Sequence, residues 1–444
     1  MRPSAIKRYA PTALFVVACL IFASFALGPE IFGHGKTKDY PLWFWVGRQA
    51  LHGADIYAPN ANGAFRFLYP PFAAALIAPL SLLGKAPMYA CLTIANIAAW
   101  GATVMLSARL CGGASDQPAW VRIAPSLLLA PFIFDIFDLG QPNLALLATT
   151  LGGFALLRGG RPIGAGALFG LAAAIKAFPL AVFPWLVWRR QWRAAVATLA
   201  FLSVFLVLAP APVLGLRHNL VELSEWGHGM LLSGGEQGFG QRPQQNWSWK
   251  NQSLIAVGNR LLRPINAEDA GRLPIEINLF DTSFRTANAI VAGLAMVIGL
   301  VFLALTPSPA RRTDASDASE WGVLAILTTI ASPLARQYYF VWLLYPVTVL
   351  VRRAASDPGG RASLITWSAL TASFALMALS LPWPYSHWVQ AAGNNLLAAA
   401  ILIGALVWWM RRDQAPVTAL AHPGRPGRPP WRSGASARRA ASVK

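Results

Sequence analysis

Charge is scarce in this chain. Asp, Glu, Lys and Arg make up 12% of its 444 residues, where a soluble domain carries roughly 25%. With hydrophobic residues at 55%, that shortage excludes an ordinary soluble globular fold. Cysteine is scarce too. Cys19, Cys91 and Cys111 lie in or beside apolar runs without a CxxC pair, so neither a disulfide framework nor a thiolate metal site is expected. The six histidines never fall at HxxxH or HExxH spacing, so no catalytic metal and no cofactor follow from motif. Acid is in shortest supply relative to its counterpart: 18 Asp and Glu stand against 37 Lys and Arg, a net charge of +19.

What is present is apolar length. Hydrophobic runs recur along nearly the whole sequence, which predicts an all-α polytopic membrane protein. The excess positive charge fits that class better than nucleic-acid binding, because the arginines sit at the ends of the runs, where they set orientation. The first run, Pro11–Gly28, follows Arg2, Lys7 and Arg8 and is read as a retained span, since no A-x-A-like cleavage site followed by a soluble domain comes after it. Placing Arg109/Arg122, Arg158/Arg161, Arg189/Arg190/Arg193, Arg311/Arg312, Arg352/Arg353/Arg361 and Arg411/Arg412 on the cytoplasmic side fixes about twelve spans. They are roughly 11–28, 86–110, 121–138, 143–158, 162–176, 177–188, 193–213, 285–306, 320–335, 338–351, 363–381 and 390–410, with both termini cytoplasmic. Residues 1–410 form one transmembrane domain in this reading, and 411–444 a basic, Pro/Gly/Ser-rich cytoplasmic tail lying against anionic lipid.

Several of these spans are shorter than the roughly 20 residues a bilayer requires. Residues 162–188 carry arginine at both ends, so they must turn back in the middle, at Lys176 within "AIKAFP". Residues 122–158 turn likewise at "DLGQPN". Short, broken hairpins of this kind are tolerated where irregular backbone lines a polar cavity. The rare polar side chains therefore gather on one face: two large outer loops, 29–85 and 214–284, and turns bearing Gln141, Asn143, Lys176 and Arg336.

The first outer loop contains "KTKDYPLWFWVGRQALHG", Lys36 to Gly53, in which Asp39 directly precedes an amphipathic, Trp-rich segment. Asp39 is a natural N-cap for a helix running from near Pro41 to Gly53. It is equally a lone acid on the polar face, and the two roles are compatible. A second short segment, Tyr69–Gly84, contains three prolines and reads as another interfacial helix.

These residues, in this order, resemble glycosyltransferase family 87. The resemblance rests on the lone acid after the first span, "G-x-D-x-Y" (Gly53, Asp55, Tyr57), "YPP" (Tyr69–Pro71), "GQPN" (Gly140–Asn143), "IKAFP" followed by "WRRQWR", "NQS" (Asn251–Ser253) and "SP" (Ser332–Pro333). It covers about residues 10–410. The resemblance implies a GT-C-like helical bundle in the cell membrane with an extracytoplasmic active site. It implies a polyprenyl-phosphate-linked sugar donor, most often mannose, a glycan or glycolipid acceptor, and Asp39 as general base. The chain departs from the family's mannosyltransferases after "SP", where a His pair is common and Tyr338 and Tyr339 stand here.

The chemistry needs little more. An acceptor hydroxyl must lose a proton, and one carboxylate can take it. A phospholipid leaving group needs its charge met, so a second carboxylate of the hydrolase kind is not required. Lys176 and Arg336 suit the phosphate as point charge and bidentate fork, although a lysine at a helix end also snorkels. Gln141, Asn143, Asn246, Asn251 and Gln252 suit sugar hydroxyls, with Tyr338 and Tyr339 beside them, and Trp247 and Trp249 suit stacking; a loop merely folded over the bundle would contain the same residues. The rival function is a transporter or lipid flippase, which usually shows a structural repeat; none is visible in the sequence.

Overall fold

The computed structural model of the protein describes residues 3–32, 39–58, 67–112, 118–232, 234–235, 238–239, 246–268, 273–356 and 358–414. The basic tail expected beyond 410 lies outside the described residues from 415 onward. The described residues are almost wholly helical, apart from a two-residue strand pair, Gly234–Gly235 with Gly238–Phe239.

The chain opens with α1 (Pro3–Phe32) and α2 (Tyr40–His52). Gly53 ends α2 in a left-handed conformation, φ +62°, which glycine adopts without the strain a side chain would add. Next come α3 (Pro71–Ser81) and α4 (Lys85–Leu110). The following apolar stretch is bent: α5 (Ala119–Leu128) and α6 (Ala130–Leu139) meet at 60°, beside Pro131, which has no N–H to continue a ladder. Three short helices follow, α7 (Asn143–Arg158), α8 (Pro162–Ile175) and α9 (Val182–Trp188). Then α10 (Trp192–Ser203) passes through a wide turn into α11 (Ala211–Leu214). The second large loop holds α12 (Leu216–Gly227) and α13 (Leu254–Leu262). The remainder is α14 (Phe284–Leu305), α15 (Asp314–Ala331), α16 (Leu344–Ser356), α17 (Arg361–Ala378), α18 (Ser386–Ala391) and α19 (Asn394–Arg412).

By length and composition, five helical stretches among the described residues can cross a membrane, or six if the bent pair counts as one. The sequence count of about twelve divides differently here because many of its segments are half-length or broken. The stretch at 162–188 breaks at Lys176, which is extended between α8 and a 3-10 turn at Phe178–Ala181. The stretch at 338–351 begins as a 3-10 turn, Gln337–Leu343. The helix expected to lie in the interface at 69–84 is instead mostly enclosed. In α3 Pro71–Ala75, Ile77 and Ala78 are buried, while Leu76 faces out.

Burial sorts the bundle. From Ser316 to Ile330 nearly every residue of α15 is buried, so α15 is the central helix. α1 exposes Leu20, Ile21 and Phe25, and α14 exposes Met296, Leu300 and Val301. Apolar side chains left outside in such rows mark a surface suited to lipid rather than water.

The same helices carry the two chemistries at opposite ends. α7 runs from Asn143 to Arg158, α8 from the turn at Arg161 to Lys176, and α15 from Asp314 to the turn leading to Arg336. At 16 residues α7 is about 24 Å long. At the arginine end, Arg158 donates to the Leu110 carbonyl at 2.7 Å and stacks on Trp321 at 4.7 Å. Arg189 is paired with the fully buried Glu320 and donates to the Pro307 carbonyl at 2.6 Å. The Trp185 indole shares that carboxylate at 2.6 Å.

Small residues let α8 approach α10. A Cβ on Gly166 would lie 2.5 Å from the Ala197 Cβ and 2.6 Å from the Ala194 carbonyl oxygen, and one on Gly170 would lie 2.9 Å from the Thr198 oxygen and the Leu202 nitrogen. The obstacles are largely backbone, so they cannot yield by a rotamer change. Gly166 and Gly170 thus form the small-xxx-small contact typical of close helices in membranes. Gly170→Leu is expected to cost about 1–3 kcal/mol or more through overpacking, read as a lowered thermal midpoint of the detergent-purified protein. An unchanged midpoint would show that α8 does not depend on this contact.

Candidate active site

The polar helix ends enclose a cavity of about 320 Å³. Asp39, Tyr69, Gln141, Lys176, Asn246, Arg336, Tyr338 and Tyr339 supply its polar lining, and Trp43, Phe178, Trp226 and Met230 part of its apolar wall. Seven of the twelve residues singled out in the sequence therefore share one cavity, and an eighth, Asn143, is bonded to Lys176 within it.

Each side chain is placed by a local device. Asp39 sits at the N-cap position of α2 but makes no side-chain capping bond. Its carboxylate turns away from the helix and accepts a hydrogen bond from the Gln141 amide. α2 is clamped in place independently: the Tyr40 hydroxyl donates to the Phe137 carbonyl and the Trp43 indole to the Gly140 carbonyl, each at 2.9 Å. The turn bearing Gln141 requires Gly140, whose φ is +72° and where a Cβ would lie 3.0 Å from the Tyr40 ring. Gln141 is committed at both ends, since its carbonyl oxygen accepts from the Tyr69 hydroxyl at 2.8 Å.

Lys176 lies at the break between α8 and the following turn. Its ammonium donates to Asn143 at 3.0 Å and to Gln141 at 3.4 Å. It also faces four rings, Tyr339 at 4.2 Å, Tyr338 at 5.1 Å, Tyr69 at 5.2 Å and Phe178 at 5.9 Å, each a favourable cation–π partner. Asp39 and Arg336 are the charged groups acting on it across the cavity. Tyr338 and Tyr339 thus form part of an aromatic enclosure for a cation.

The second loop serves mainly as a brace. Asn251 donates to the carbonyls of Asn246 and Pro333 at 2.9 and 2.8 Å and accepts from the Ala335 amide at 3.0 Å. Gln252 donates to the carbonyls of Trp249 at 2.8 Å and Gln390 at 2.6 Å. Trp249 stacks on His387 at 3.7 Å, and Trp247 is buried. These four residues do not line the cavity; Asn251, and Gln252 through its backbone amide on the Ala335 carbonyl, hold the segment that leads to Arg336. Asn246 alone of this group lines it.

Sequence reasoning missed four contributors. Tyr69 was visible in "YPP" but without its tie to Gln141. Arg260 is fully buried and donates to the carbonyls of Ser248 at 2.7 Å, Ala391 at 2.8 Å and Trp247 at 3.3 Å. Burial pulls its guanidinium down to about 9. Only its isolation within the apolar run "LIAVGNRLL" hinted at that role. Trp226 and Met230 enter the wall from α12 and the turn after it, which no motif marked.

One carboxylate facing the same cavity as a lysine and an arginine is a poor donor set for a divalent cation, which prefers several anionic oxygens. It suits an anionic group held beside a base. The cavity lies within the range of small-molecule sites, about 300–1,000 Å³.

The chain is 26% identical over 331 residues to the polyprenol-phosphate-mannose-dependent alpha-(1-2)-phosphatidylinositol pentamannoside mannosyltransferase of Mycobacterium tuberculosis. That alignment covers 71% of this chain and 64% of the relative, so this chain spans less than two thirds of the relative's length. The model of glycosyltransferase family 87 matches residues 67–333, more than half of the chain. The match includes Tyr69, Gln141, Asn143 and Lys176 and stops just short of Arg336, while Asp39 precedes it. The cavity is thus built largely from the matched segment, and the chain belongs to glycosyltransferase family 87.

Proposed function

We propose that the protein is a membrane glycosyltransferase that moves mannose from a polyprenyl-phosphate donor to a glycan or glycolipid acceptor on the extracytoplasmic face of the cell membrane. The observation that carries this reading is the single carboxylate, Asp39, facing the same cavity as Lys176 and Arg336. In this reading the acceptor hydroxyl attacks the anomeric carbon and gives its proton to Asp39. The sugar–phosphate bond breaks, and polyprenyl phosphate departs with the electron pair. Lys176 and Arg336 meet the phosphate charge, which makes it a better leaving group. Gln141 bonds both Asp39 and Lys176, so it sets the spacing between base and cation. Asn143, Asn246, Tyr338 and Tyr339 face the sugar or acceptor, and Trp247, Trp249, Asn251 and Gln252 support the wall behind them.

The mannose assignment is supported by the name of the mycobacterial relative, and the side of the membrane by the separation of the cavity from the arginine end. The transmembrane domain is taken as residues 1–410 with about twelve membrane-entering segments, both termini cytoplasmic, and 411–444 as its tail. The deciding experiment incubates purified protein with polyprenyl-phosphate mannose, glucose and arabinose in turn, together with candidate glycolipid acceptors. Consumption of the mannose donor, with product formed, is expected. Consumption of none of them would refute the donor class.

A further inference from the structure

A second polar cluster lies beside the cavity and takes no part in the chemistry above. Asp55 follows α2, and Glu222 and Glu225 stand three residues apart on α12, hence on one face. One carboxylate oxygen from each residue lies within 4.8 Å of the other two. Three like charges so close repel one another unless something neutralises them.

Glu222 makes the cluster more than a patch of surface acids. It is buried, 2% exposed. Its Oε1 accepts from the Ile56 amide at 3.4 Å and lies 3.1 Å from the His218 Nε2. Its Oε2 is buried with no hydrogen-bond partner among the described residues. A buried carboxylate oxygen left without a partner is costly, and a cation is the natural ligand for it. Asp55 and Glu225 are exposed, which leaves a route for an ion from solvent.

We infer that Asp55, Glu222 and Glu225 form a divalent-cation site, best suited to Ca²⁺, that fastens α12 to the segment following α2. Ca²⁺–oxygen distances are about 2.3–2.6 Å, so two ligand atoms on opposite sides of the ion stand about 4.6–5.2 Å apart. Three oxygens all within 4.8 Å of one another can therefore be spanned by one such ion. The donors are all oxygen, and carboxylates can bind Ca²⁺ in one- or two-oxygen modes. Mg²⁺ demands a stricter octahedron and retains its waters. His218 lies against the other oxygen of Glu222, Oε1, at 3.1 Å, as outer partners of metal ligands do.

The site is positioning, not catalytic. The Tyr57 hydroxyl donates to the Tyr69 carbonyl at 2.7 Å, and Tyr69 in turn bonds Gln141. On the other side, the Trp226 indole follows Glu225 and donates to the Leu68 carbonyl at 3.2 Å. Tyr69, Trp226 and Leu68 all line the cavity, so joining Asp55 to α12 fixes two parts of one wall. The inference stands whatever sugar the cavity takes.

The test uses the full chain, purified in detergent and stripped with chelator, with Ca²⁺ binding measured by equilibrium dialysis. One Ca²⁺ per chain is expected, with a dissociation constant in the range of about 10⁻⁴–10⁻³ M or tighter and Mg²⁺ bound at least tenfold more weakly. Asp55→Asn/Glu225→Gln, which changes only exposed side chains, should abolish that binding. Ca²⁺ should raise the thermal midpoint of the wild type and not that of the double variant. Glu222→Gln should exceed the chelated wild type in thermal midpoint, because it removes the unpartnered charge while keeping an acceptor. Absence of stoichiometric Ca²⁺ binding to the wild type, or binding unchanged in the double variant, would overturn the site.

Discussion

Asp39→Asn is expected to leave the protein folded and to lower its turnover by about 10²-fold or more, the scale of a lost general base. The substitution is well matched to the question. Asn is as good an N-cap as Asp, so a residue that merely started α2 would be replaced without effect. In the structure the Asp39 carboxylate makes no capping bond and faces Gln141 and the cavity instead. α2 is held by Tyr40 and Trp43, neither of which the substitution touches. What Asn cannot do is accept a proton from the acceptor hydroxyl. The measurement is kcat with a polyprenyl-phosphate sugar, alongside the thermal midpoint. Near-normal kcat in a folded variant would assign Asp39 to the helix start alone.

Lys176→Met and Arg336→Ala are each expected to weaken donor binding by roughly 10- to 100-fold. A charge-assisted hydrogen bond contributes about 1.5–3 kcal/mol, and 1.4 kcal/mol is a factor of ten. Met keeps the apolar stem of Lys176 packed among Tyr69, Tyr338 and Tyr339 while removing the ammonium. The result therefore separates a phosphate ligand from a lysine that merely snorkels. Acceptor affinity, measured without donor, should stay within about twofold, since the acceptor carries no phosphate to this position in the proposed mechanism. If both variants bound the lipid donor normally, the phosphate site would have to lie elsewhere, with the arginines of the 214–284 loop the next place to look.

The parts of this site visible in the sequence are those set by local rules. Gly53 marks the end of α2 because a left-handed residue there favours glycine. Lys176 stands out because two arginine-bounded half-segments leave too few residues to cross twice, so the break must fall between them. Asp39 stands out because acid is rare and its neighbours are aromatic. The hidden parts depend on contacts between distant positions. Gln252 and Asn251 have side chains suited to sugars, and only their bonds to Gln390, Pro333 and Ala335 show them bracing backbone instead. The same holds for Arg260, whose three carbonyl partners come from two separate segments. The 60° bend between α5 and α6 was also hidden, because hydropathy measures greasiness and not direction.

The buried pair of Arg189 and Glu320 has a consequence for biosynthesis. The two residues are 131 positions apart in the chain. At a synthesis rate of about 5–20 residues per second, Arg189 leaves the ribosome roughly 7–26 s before its acid partner. During that interval the hairpin of α8 and α9 carries a guanidinium without Glu320, whose carboxylate also bonds Trp185 in α9. The cavity that Lys176 lines also takes Thr328 and Ala331 from α15, so it is incomplete until that helix is made. The enclosure around it also draws on Tyr338 and Tyr339, which emerge later still. The cavity is consequently completed only after Tyr339 is made, and a nascent chain halted before α15 holds the motif without the pocket.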